Sequence, residues 1–285
     1  MILITGASGN AGGAVARAVA STGAPLRALV RDGGDRSGLP PQAEVVEGDL
    51  NRPETLRPHL DGVSAVFLLS GYDGMAEALA YMREAGVGRV VLLSSSAAPA
   101  GDMDNAVARY HVLAERAVRE SGLAWTFLQP DSFMTNTLAW APQLRAGDVV
   151  RAPFADVRVA TIDPADVGAV AAAALTSDGH EGRAYRLSGP ESLRPGDRVA
   201  ILARALGRDL RFQAQSDAEA RAEMGESMPR EYVEAFLSFF ADGTLDESEV
   251  LPTVREVTGR APRTFEAWAR EHADACRPEA AGSPR

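Results

Sequence analysis

A glycine-rich loop separates the first apolar segment of the chain from an alanine-rich stretch. The segment and loop read Met1-Ile2-Leu3-Ile4-Thr5-Gly6-Ala7-Ser8-Gly9-Asn10-Ala11-Gly12. Gly6 permits a sharp turn after a strand, Gly9 lets the backbone approach a pyrophosphate, and Gly12 lets the following helix pack closely. The N-terminus of that helix attracts an anion through its N–H groups and its dipole. This order of strand, loop and helix predicts that residues 6–12 bind a dinucleotide.

The basic residues exclude several reaction classes. All 29 of them are arginine, so the chain contains no lysine. A Walker-type phosphate loop needs a lysine, and so do Schiff-base catalysis and the Tyr-x-x-x-Lys pair of typical short-chain dehydrogenases. The four histidines, His59, His111, His180 and His272, form no i, i+4 pair and no Cys/His cluster. No metal site is therefore predicted.

The net charge and the cysteine content limit the kinds of partner and the cellular compartment that we expect for this protein. The net charge is −10 and no basic cluster offsets it, which argues against nucleic acid and anionic membrane as partners. Cys276 is the single cysteine, so no internal disulfide can form. With no charged leader before an apolar segment and no apolar run long enough to span a bilayer, we expect a cytoplasmic protein. Its subunit number stays open.

Strand and helix patterns alternate through the first 130 residues. Short, mostly apolar runs predict strands at Met1–Thr5, Leu26–Val30, Glu44–Glu47, Ala65–Leu69, Arg89–Leu93 and Ala124–Leu128. Helical patterns lie between them near Pro53–Leu60, Gly74–Glu84 and Asn105–Glu120. The alternation implies right-handed crossovers and an α/β fold with a doubly wound parallel sheet. Residues 1–130 are interpreted as the dinucleotide-binding core.

The pattern changes after Pro130. Longer mixed segments follow, with predicted helices at Ala165–Leu175, Pro195–Leu206, Arg230–Phe240 and Thr264–Ala273, and strand-like pieces at Arg158–Ala160 and Ala184–Leu187. We expect residues 131–276 to form a smaller substrate lobe that closes over the carboxyl ends of the strands, with some elements returning to the main sheet. Residues 277–285 are rich in Pro, Gly, Ala and Ser and are predicted to be a disordered tail.

Residues at the carboxyl ends of the predicted strands are candidates for cofactor binding. Arg31 follows the second strand, where an arginine accommodates the additional phosphate of NADP. NADP(H) is therefore favoured, and NAD(H) stays possible because Asp32 could turn inward instead. The alternative is that Arg31 and Asp32 form a solvated turn. Asp49 could accept from an adenine amino group or cap the next helix. Strand ends at a topological switch point line the ligand crevice. The remaining candidates on this basis are Leu50, Leu68, Leu69, Ser70, Ser94 and Ser95.

Nine short motifs along the chain carry a family resemblance. They are Gly6-x-x-Gly9-x-x-Gly12, Val30-Arg31-Asp32, Gly48-Asp49-Leu50, Val91-Leu92-Leu93-Ser94-Ser95, His111-x-x-x-Glu115, Ser121-Gly122-Leu123-x-Trp125-Thr126-x-Leu128-x-Pro130, Phe133-Met134-x-Asn136, Asp163-x-x-Asp166-Val167 and Leu187-Ser188-Gly189-Pro190. In combination they resemble the NmrA-like family of atypical short-chain dehydrogenases/reductases over about residues 1–270. Gln129 departs from the pattern, because many relatives carry Arg there. That departure weakens any inference about an anionic substrate held at this position.

The resemblance implies an extended Rossmann fold with a nicotinamide cofactor bound at Gly6–Gly12. It also implies a nicotinamide-facing loop that begins at Pro130 and includes Ser132 and Phe133. Phe133 would form a wall beside the nicotinamide ring. The alternative for Phe133 is core packing within the lobe.

The proton source separates the hypotheses about function. Tyr110 is followed by His111, and the position that a catalytic lysine would occupy holds Ala114. A tyrosine without a neighbouring cation keeps a high pKa. Tyr110 and His111 remain candidate donors through water, and His111 could instead be a helix residue bonded to a backbone carbonyl. Reducing an isolated ketone needs a strong acid, whereas reducing a quinone or a conjugated cation needs it much less.

The sequence therefore predicts an NAD(P)H-dependent reductase of a conjugated aromatic or quinone-type small molecule. A place in aromatic polyketide tailoring is a further expectation from the resemblance. An apolar substrate slot is predicted from Tyr72, Met134, Asn136, Trp140 and Phe154, of which Trp140 and Phe154 could equally be lobe core. The alternative function is a non-catalytic protein that binds the dinucleotide and reports redox state to a partner.

Overall fold

A computed structural model of the chain describes residues 1–277. Apart from Arg277, the tail predicted to be disordered lies outside the described residues. The chain divides into two compact units. Among the described residues, the first comprises 1–130, 164–187 and 252–261, and the second comprises 131–163, 188–251 and 262–277.

The described residues contain nine strands and ten α-helices. The strands are β1 (Ile2–Ile4), β2 (Leu26–Val30), β3 (Glu44–Glu47), β4 (Ala65–Leu69), β5 (Arg89–Leu93), β6 (Ala124–Pro130), β7 (Val149–Ala152), β8 (Arg183–Leu187) and β9 (Arg211–Ala214). The helices are α1 (Asn10–Ser21), α2 (Met75–Glu84), α3 (Ala106–Glu120), α4 (Ala141–Ala146), α5 (Pro164–Thr176), α6 (Pro195–Leu206), α7 (Asp217–Gly225), α8 (Arg230–Phe240), α9 (Thr253–Thr258) and α10 (Phe265–Glu271).

A seven-stranded sheet forms the centre of the first unit. Its strand order is β3-β2-β1-β4-β5-β6-β8, and every neighbouring pair is parallel. The predicted α/β class and doubly wound parallel sheet are thereby confirmed. Strand order reverses direction beside β1, so the loops that follow β1 and β4 flank the topological switch point. Ligands bind at this point in open α/β sheets.

Both faces of the central strands β1, β4 and β5 are buried, which explains their continuous apolar runs. The edge strands β3 and β8 are partly exposed. Helices α2 and α3 contribute to the core on one face, together with side chains such as Leu3, Val66 and Phe127. Helices α1 and α5 pack against each other and against the strands. A Cβ at Gly168 would lie 2.7 Å from the carbonyl oxygen of Ala14, so α5 needs glycine there to approach α1 this closely.

The second unit has its own core and a two-stranded parallel sheet of β7 and β9. Helices α4, α6 and α10 supply most of the buried apolar side chains. Phe265 and Trp268 of α10 are essentially inaccessible to solvent, and their ring centroids lie 5.4 Å apart. This core is stabilised mainly by burial of these large aromatic and aliphatic side chains.

Two predicted elements are less regular than their patterns suggest. The helical segment at residues 53–60 consists of two short 3₁₀ helices, Pro53–Thr55 and Arg57–His59. Pro58 interrupts the segment, because proline has no N–H to donate to a helical hydrogen bond. The strand-like piece Arg158–Ala160 makes only an isolated antiparallel bridge between Val159 and Leu193.

Among residues 1–277, no helix combines the length and the apolar character needed to cross a bilayer.

Candidate functional site

At Gly6 and Gly12, the glycine loop after β1 is packed so tightly that a side chain would not fit. A Cβ at Gly12 would lie 2.2 Å from the carbonyl oxygen of Gly6 and 2.8 Å from that of Thr5. Gly6 itself has a φ of +60°, and a Cβ there would meet the side chain of Leu69 at 2.4 Å. Gly9 donates its N–H to the Gly6 oxygen at 2.9 Å, which closes the turn. The loop therefore offers bare backbone where a phosphate would approach.

Helix α1 presents an N-terminus suited to an anion. Its N-cap is Gly9, so no side chain caps the helix, and its first turn contains no acidic residue. The first N–H groups of a helix have no intrahelical partner and lie at the positive end of its dipole. Ser8, Gly9 and Asn10 are exposed, whereas Ala7 and Ala11 are buried and anchor the loop. A cofactor pyrophosphate fits this cradle.

The buried hydroxyl of Thr5 joins the two strands that flank the loop. It donates to the carbonyl oxygen of Phe67 at 3.0 Å and accepts the N–H of Leu69 at 3.1 Å. Leu69 is the residue that contacts Gly6. The ends of β1 and β4 are thus held together directly beneath the glycine loop.

Three predicted residues lie close together beyond β2 and β3. Burial raises the pKa of the Tyr72 phenol, while the Arg31 cation opposes this shift and the Asp49 carboxylate adds to it. Arg31 is exposed and Tyr72 is half-buried. The Asp49 carboxylate accepts the N–H of Asn51 at 2.9 Å and lies 3.7 Å from Arg52. It does not cap the 3₁₀ helix that follows, whose N-cap is Arg52 with no side-chain capping bond. Leu50 is buried in the core.

Ser70, Tyr110 and His111 form a second group, next to the end of β4. The Ser70 hydroxyl lies 3.0 Å from His111 Nδ1, so the partner of this histidine is a hydroxyl and not the backbone carbonyl considered above. Burial lowers the pKa of His111 to about 4, so the imidazole is neutral at pH 7. The Tyr110 and His111 ring centroids are 4.0 Å apart, and the Tyr110 ring packs on Gly71. The imidazole can relay a proton at neutral pH, but it does not supply a cation.

Glu115 of α3 is buried and organises the ends of β5 and β6. Its Oε1 accepts from the Ser94 hydroxyl and from the Gln129 amide, each at 2.7 Å. Its Oε2 pairs with Arg119 at 3.0 Å. Gln129, the departure from the family pattern, therefore serves as a neutral donor to this buried carboxylate. Sequence reasoning placed Glu115 in a motif and missed its contacts.

The remaining candidates of the first unit lie at the same strand ends. The Ser95 hydroxyl accepts the N–H of Ala97 at 3.2 Å, and the Pro130 oxygen accepts the N–H of Ser96 at 3.1 Å. Leu68 is 1% exposed and belongs to the core. The first unit therefore gathers the glycine loop, Ser70, Ser94 and Ser95 along the carboxyl edge of its sheet.

In the second unit, the loop predicted to face the nicotinamide is tied down by a carboxylate. Ser132 donates both its hydroxyl, at 2.6 Å, and its N–H, at 3.2 Å, to Glu247 Oε2. Glu247 is buried. It lies far from Ser132 in the chain, and no sequence pattern indicated that the two residues are in contact. Phe133 is half-buried and forms a bridge with Ile162. Met134 is 1% exposed and packs in the core, so its part in a substrate slot stays a prediction.

A cavity of about 190 Å³ lies in the second unit. Its wall includes three predicted residues, Asn136, Trp140 and Phe154, together with Phe240. Phe154 has a φ of +57°, the one positive φ outside glycine among residues 1–277. A bulky residue in this region is strained, and such strain persists only where the surroundings impose it. Phe240 packs against Phe154 with ring centroids 5.4 Å apart.

Two polar residues of this cavity escaped the sequence analysis. Thr161 and Arg198 line it, and both Thr161 Oγ1 and Arg198 Nε are buried without a hydrogen-bond partner. The helical pattern could have indicated that Arg198 faces inward, because it lies four residues before Leu202, which is buried in α6. An arginine on the inner stripe of a helix is unusual. Within the part of the chain that the structure describes, no group of three or more His, Cys, Asp or Glu could hold a metal ion.

The profile of one protein family, described as NAD(P)H-binding, matches residues 6–178. A (4-alkanoyl-5-oxo-2,5-dihydrofuran-3-yl)methyl phosphate reductase of Streptomyces griseus is 43% identical over 98% of this chain and 100% of its own length. An NAD(P)H azoreductase of Xenophilus azovorans is 35% identical over 96% of this chain and 99% of its own length.

A solved structure of an NADPH-dependent quinone oxidoreductase from Escherichia coli superposes with a TM-score of 0.78. It is 24% identical, and the match covers 95% of this chain and 99% of that one. This likeness supports the fold.

Proposed function

Because the chain belongs to the NAD(P)H-binding family and is an NAD(P)-dependent oxidoreductase, we propose that it passes hydride from NADPH to an electron-poor, conjugated acceptor. The observation that carries the choice of acceptor is the buried, neutral imidazole of His111, which packs beside the Tyr110 ring. His111 is neutral at pH 7 because burial lowers its pKa to about 4, and the chain has no lysine.

The residues of the first unit fit the cofactor. Residues 6–12 would hold its pyrophosphate on bare backbone and on the N-terminus of α1. When bound, the cofactor supplies the hydride. Ser70, Ser94 and Ser95 would bind polar groups of its nicotinamide half, since small hydroxyl residues at strand ends suit a ribose.

Arg31 supports NADPH over NADH. Its guanidinium is exposed after β2, at the position where this fold meets the 2′ end of the adenosine ribose. Arg31 and Asp49 both act electrostatically on the Tyr72 phenol, which supports a location of the Arg31 charge at this edge of the sheet. A guanidinium binds phosphate through paired hydrogen bonds.

An acceptor that delocalises the incoming electron pair fits this chemistry. An isolated ketone would become an alkoxide and would need an acid matched to the working pH. The named substrate of the Streptomyces griseus relative contains a carbon–carbon double bond conjugated with a ring carbonyl and an acyl group. Azo compounds, the class named for the second relative, also carry a conjugated, electron-poor double bond. Both support a conjugated acceptor for this chain.

The test is NADPH oxidation, followed by nicotinamide absorbance, with three acceptors at equal concentration. These are 1,4-naphthoquinone, a 3-acyl-butenolide and cyclohexanone. We expect turnover of at least one conjugated acceptor and none of the isolated ketone. Turnover of cyclohexanone at a comparable rate would contradict the proposed acceptor class. Tight NADPH binding without turnover of either conjugated acceptor would favour the redox-sensing alternative.

A further inference from the structure

The guanidinium of Arg198 lies in an environment that does not neutralise its charge. No carboxylate among residues 1–277 forms an ion pair with it, and its Nε is buried without a hydrogen-bond partner. Its one aromatic contact is with Trp140, whose ring centroid lies 5.0 Å from the guanidinium carbon. Burial lowers the pKa of Arg198 to about 10, so the side chain is still cationic at pH 7.

Such an arrangement costs the folded protein free energy. A buried charge is normally paired, because removal from water is not repaid by packing alone. The contact with Trp140 offsets part of this cost, since a cation is attracted to the face of an aromatic ring. It leaves the Nε–H of the guanidinium without a hydrogen-bond acceptor. Unsatisfied buried groups of this kind need an explanation, and a ligand group is one.

The cavity that Arg198 lines has mostly apolar walls and a few polar groups. Trp140, Phe154 and Phe240 provide aromatic walls, and its volume of about 190 Å³ would hold several waters of roughly 30 Å³ each. Thr161 adds a second buried polar atom without a partner. A largely apolar pocket with a few convergent polar groups is the usual form of a small-molecule site.

We infer that this cavity binds the substrate of the proposed reduction through an oxyanion substituent, a phosphate or a carboxylate, held by Arg198 and Thr161. The planar guanidinium matches either oxyanion with parallel hydrogen bonds, and the Thr161 hydroxyl donates another. The aromatic walls then cover the conjugated part of the substrate. That the bound molecule is the substrate rests on the proposed function, whereas the anion site itself is supported by the cavity alone.

The first experiment measures selectivity. Three matched naphthoquinones carry a phosphomethyl, a carboxyl or a methyl substituent at the same position, and kcat/KM is measured for each with NADPH. Arg198→Met should lower kcat/KM about 30-fold or more for the anionic acceptors that the wild type prefers, and leave the methyl compound within about threefold. The two anionic substrates show which oxyanion the cavity takes.

Arg204→Met is the matched control, because it removes an exposed arginine from the same helix. It should leave the preference for anionic acceptors unchanged. An equal loss on all three acceptors with Arg198→Met would overturn the inference, and so would no loss on any. A parallel loss with Arg204→Met would show that net charge, and not the cavity, attracts the anion.

A binding experiment separates this inference from the proposed function. Isothermal titration with 1-naphthyl phosphate, 1-naphthoate and neutral 1-naphthol needs no turnover. Binding of at least one anion by the wild type, lost in Arg198→Met, would support the cavity even if no acceptor were reduced. Equal binding of 1-naphthol, or anion binding that survives Arg198→Met, would overturn it.

The same variant has a thermal readout that a structural role would not produce. If Arg198 stabilised the fold, Arg198→Met would lower the Tm. Because the charge is buried and unpaired, we expect the Tm of Arg198→Met to equal or exceed that of the wild type. A clear fall in Tm would indicate a structural arginine and would contradict the inference.

Discussion

Gly12 shows how one missing methyl group lets α1 pack closely against the end of β1. Its α-carbon lies where a Cβ would meet backbone oxygens of Gly6 and Thr5, at 2.2 and 2.8 Å. Backbone atoms cannot swing aside as a side chain can. We therefore expect Gly12→Ala to push α1 away from β1, costing about 1–3 kcal/mol of unfolding free energy through overpacking. It should also abolish measurable NADPH binding, followed by cofactor fluorescence.

Gly38→Ala is the control for this change, because a Cβ at Gly38 meets nothing within 4 Å and its φ is not in the left-handed region. It should leave both stability and NADPH binding close to those of the wild type. If Gly12→Ala bound NADPH as the wild type does, the assignment of the loop to the pyrophosphate would fail.

Arg31 carries the proposed preference between the two dinucleotides. Arg31→Ala should weaken NADPH binding by a factor of about 30, as expected for the loss of a charge-assisted contact, and change NADH binding by less than threefold. Equilibrium titration of each cofactor measures both constants. Arg36→Ala removes a nearby exposed arginine that pairs with Glu47, and it should affect neither. Equal losses for NADPH and NADH would show that Arg31 does not contact the phosphate.

At the scale of elements, Glu115 links α3 to the ends of β5 and β6. Truncating it would leave the Ser94 hydroxyl and the Gln129 amide buried without an acceptor, and Arg119 without its ion pair. Glu115→Ala should therefore lower the unfolding free energy by about 3 kcal/mol, since each unsatisfied buried group costs about 1–3 kcal/mol. Urea unfolding gives this value. The exposed Glu120 on the same helix offers the comparison Glu120→Ala, for which we expect under about 0.5 kcal/mol. Similar losses for both variants would contradict the buried network.

The strands of the first unit could be predicted well because both faces of its sheet are covered. Burial on two faces produces runs such as Val90-Val91-Leu92-Leu93, which no amphipathic pattern imitates. Strands β7 and β9 were missed. They are four residues long and pair with each other, and β9 is mostly exposed. Burial alternates along β7, but its exposed positions include the apolar Val149, so the sequence does not show the alternation.

The residues of the candidate site also differ in how well the sequence predicts them, because some contacts are local and others arise only from tertiary packing. A local motif carries its own geometry, so residues 6–12 could be recognised from their spacing. The contacts of Ser132 with Glu247, and of Glu115 with Gln129, join residues far apart in the chain. Only tertiary packing creates them. Arg198 was overlooked because an arginine in a helix is ordinarily solvated, and the cavity around it is formed by segments distant in sequence.

At the scale of the whole molecule, the pH dependence of the unfolding free energy is the sum over all titrating groups of a chain whose net charge is −10. His111 stands out because burial lowers its pKa to about 4, against about 6.5 in the unfolded chain. The unfolded state therefore takes up a proton below pH 6.5 that the folded state refuses until about pH 4. Stability from this group is complete above pH 6.5 and is lost as the pH falls through that window.

The loss attributable to His111 between pH 7 and pH 4 is about 3 kcal/mol. Carboxylates also respond to acid, so the wild-type curve alone does not isolate it. His111→Asn removes the titration and keeps an amide able to bond the Ser70 hydroxyl. Urea unfolding of both proteins across pH 7 to 4 should show the variant losing about 3 kcal/mol less than the wild type. Parallel curves would mean that His111 titrates normally in the folded protein, and a cationic imidazole would then be available beside Tyr110 below neutral pH. In that case a strong acid would be present at the site, and a conjugated acceptor would no longer be favoured over an isolated ketone.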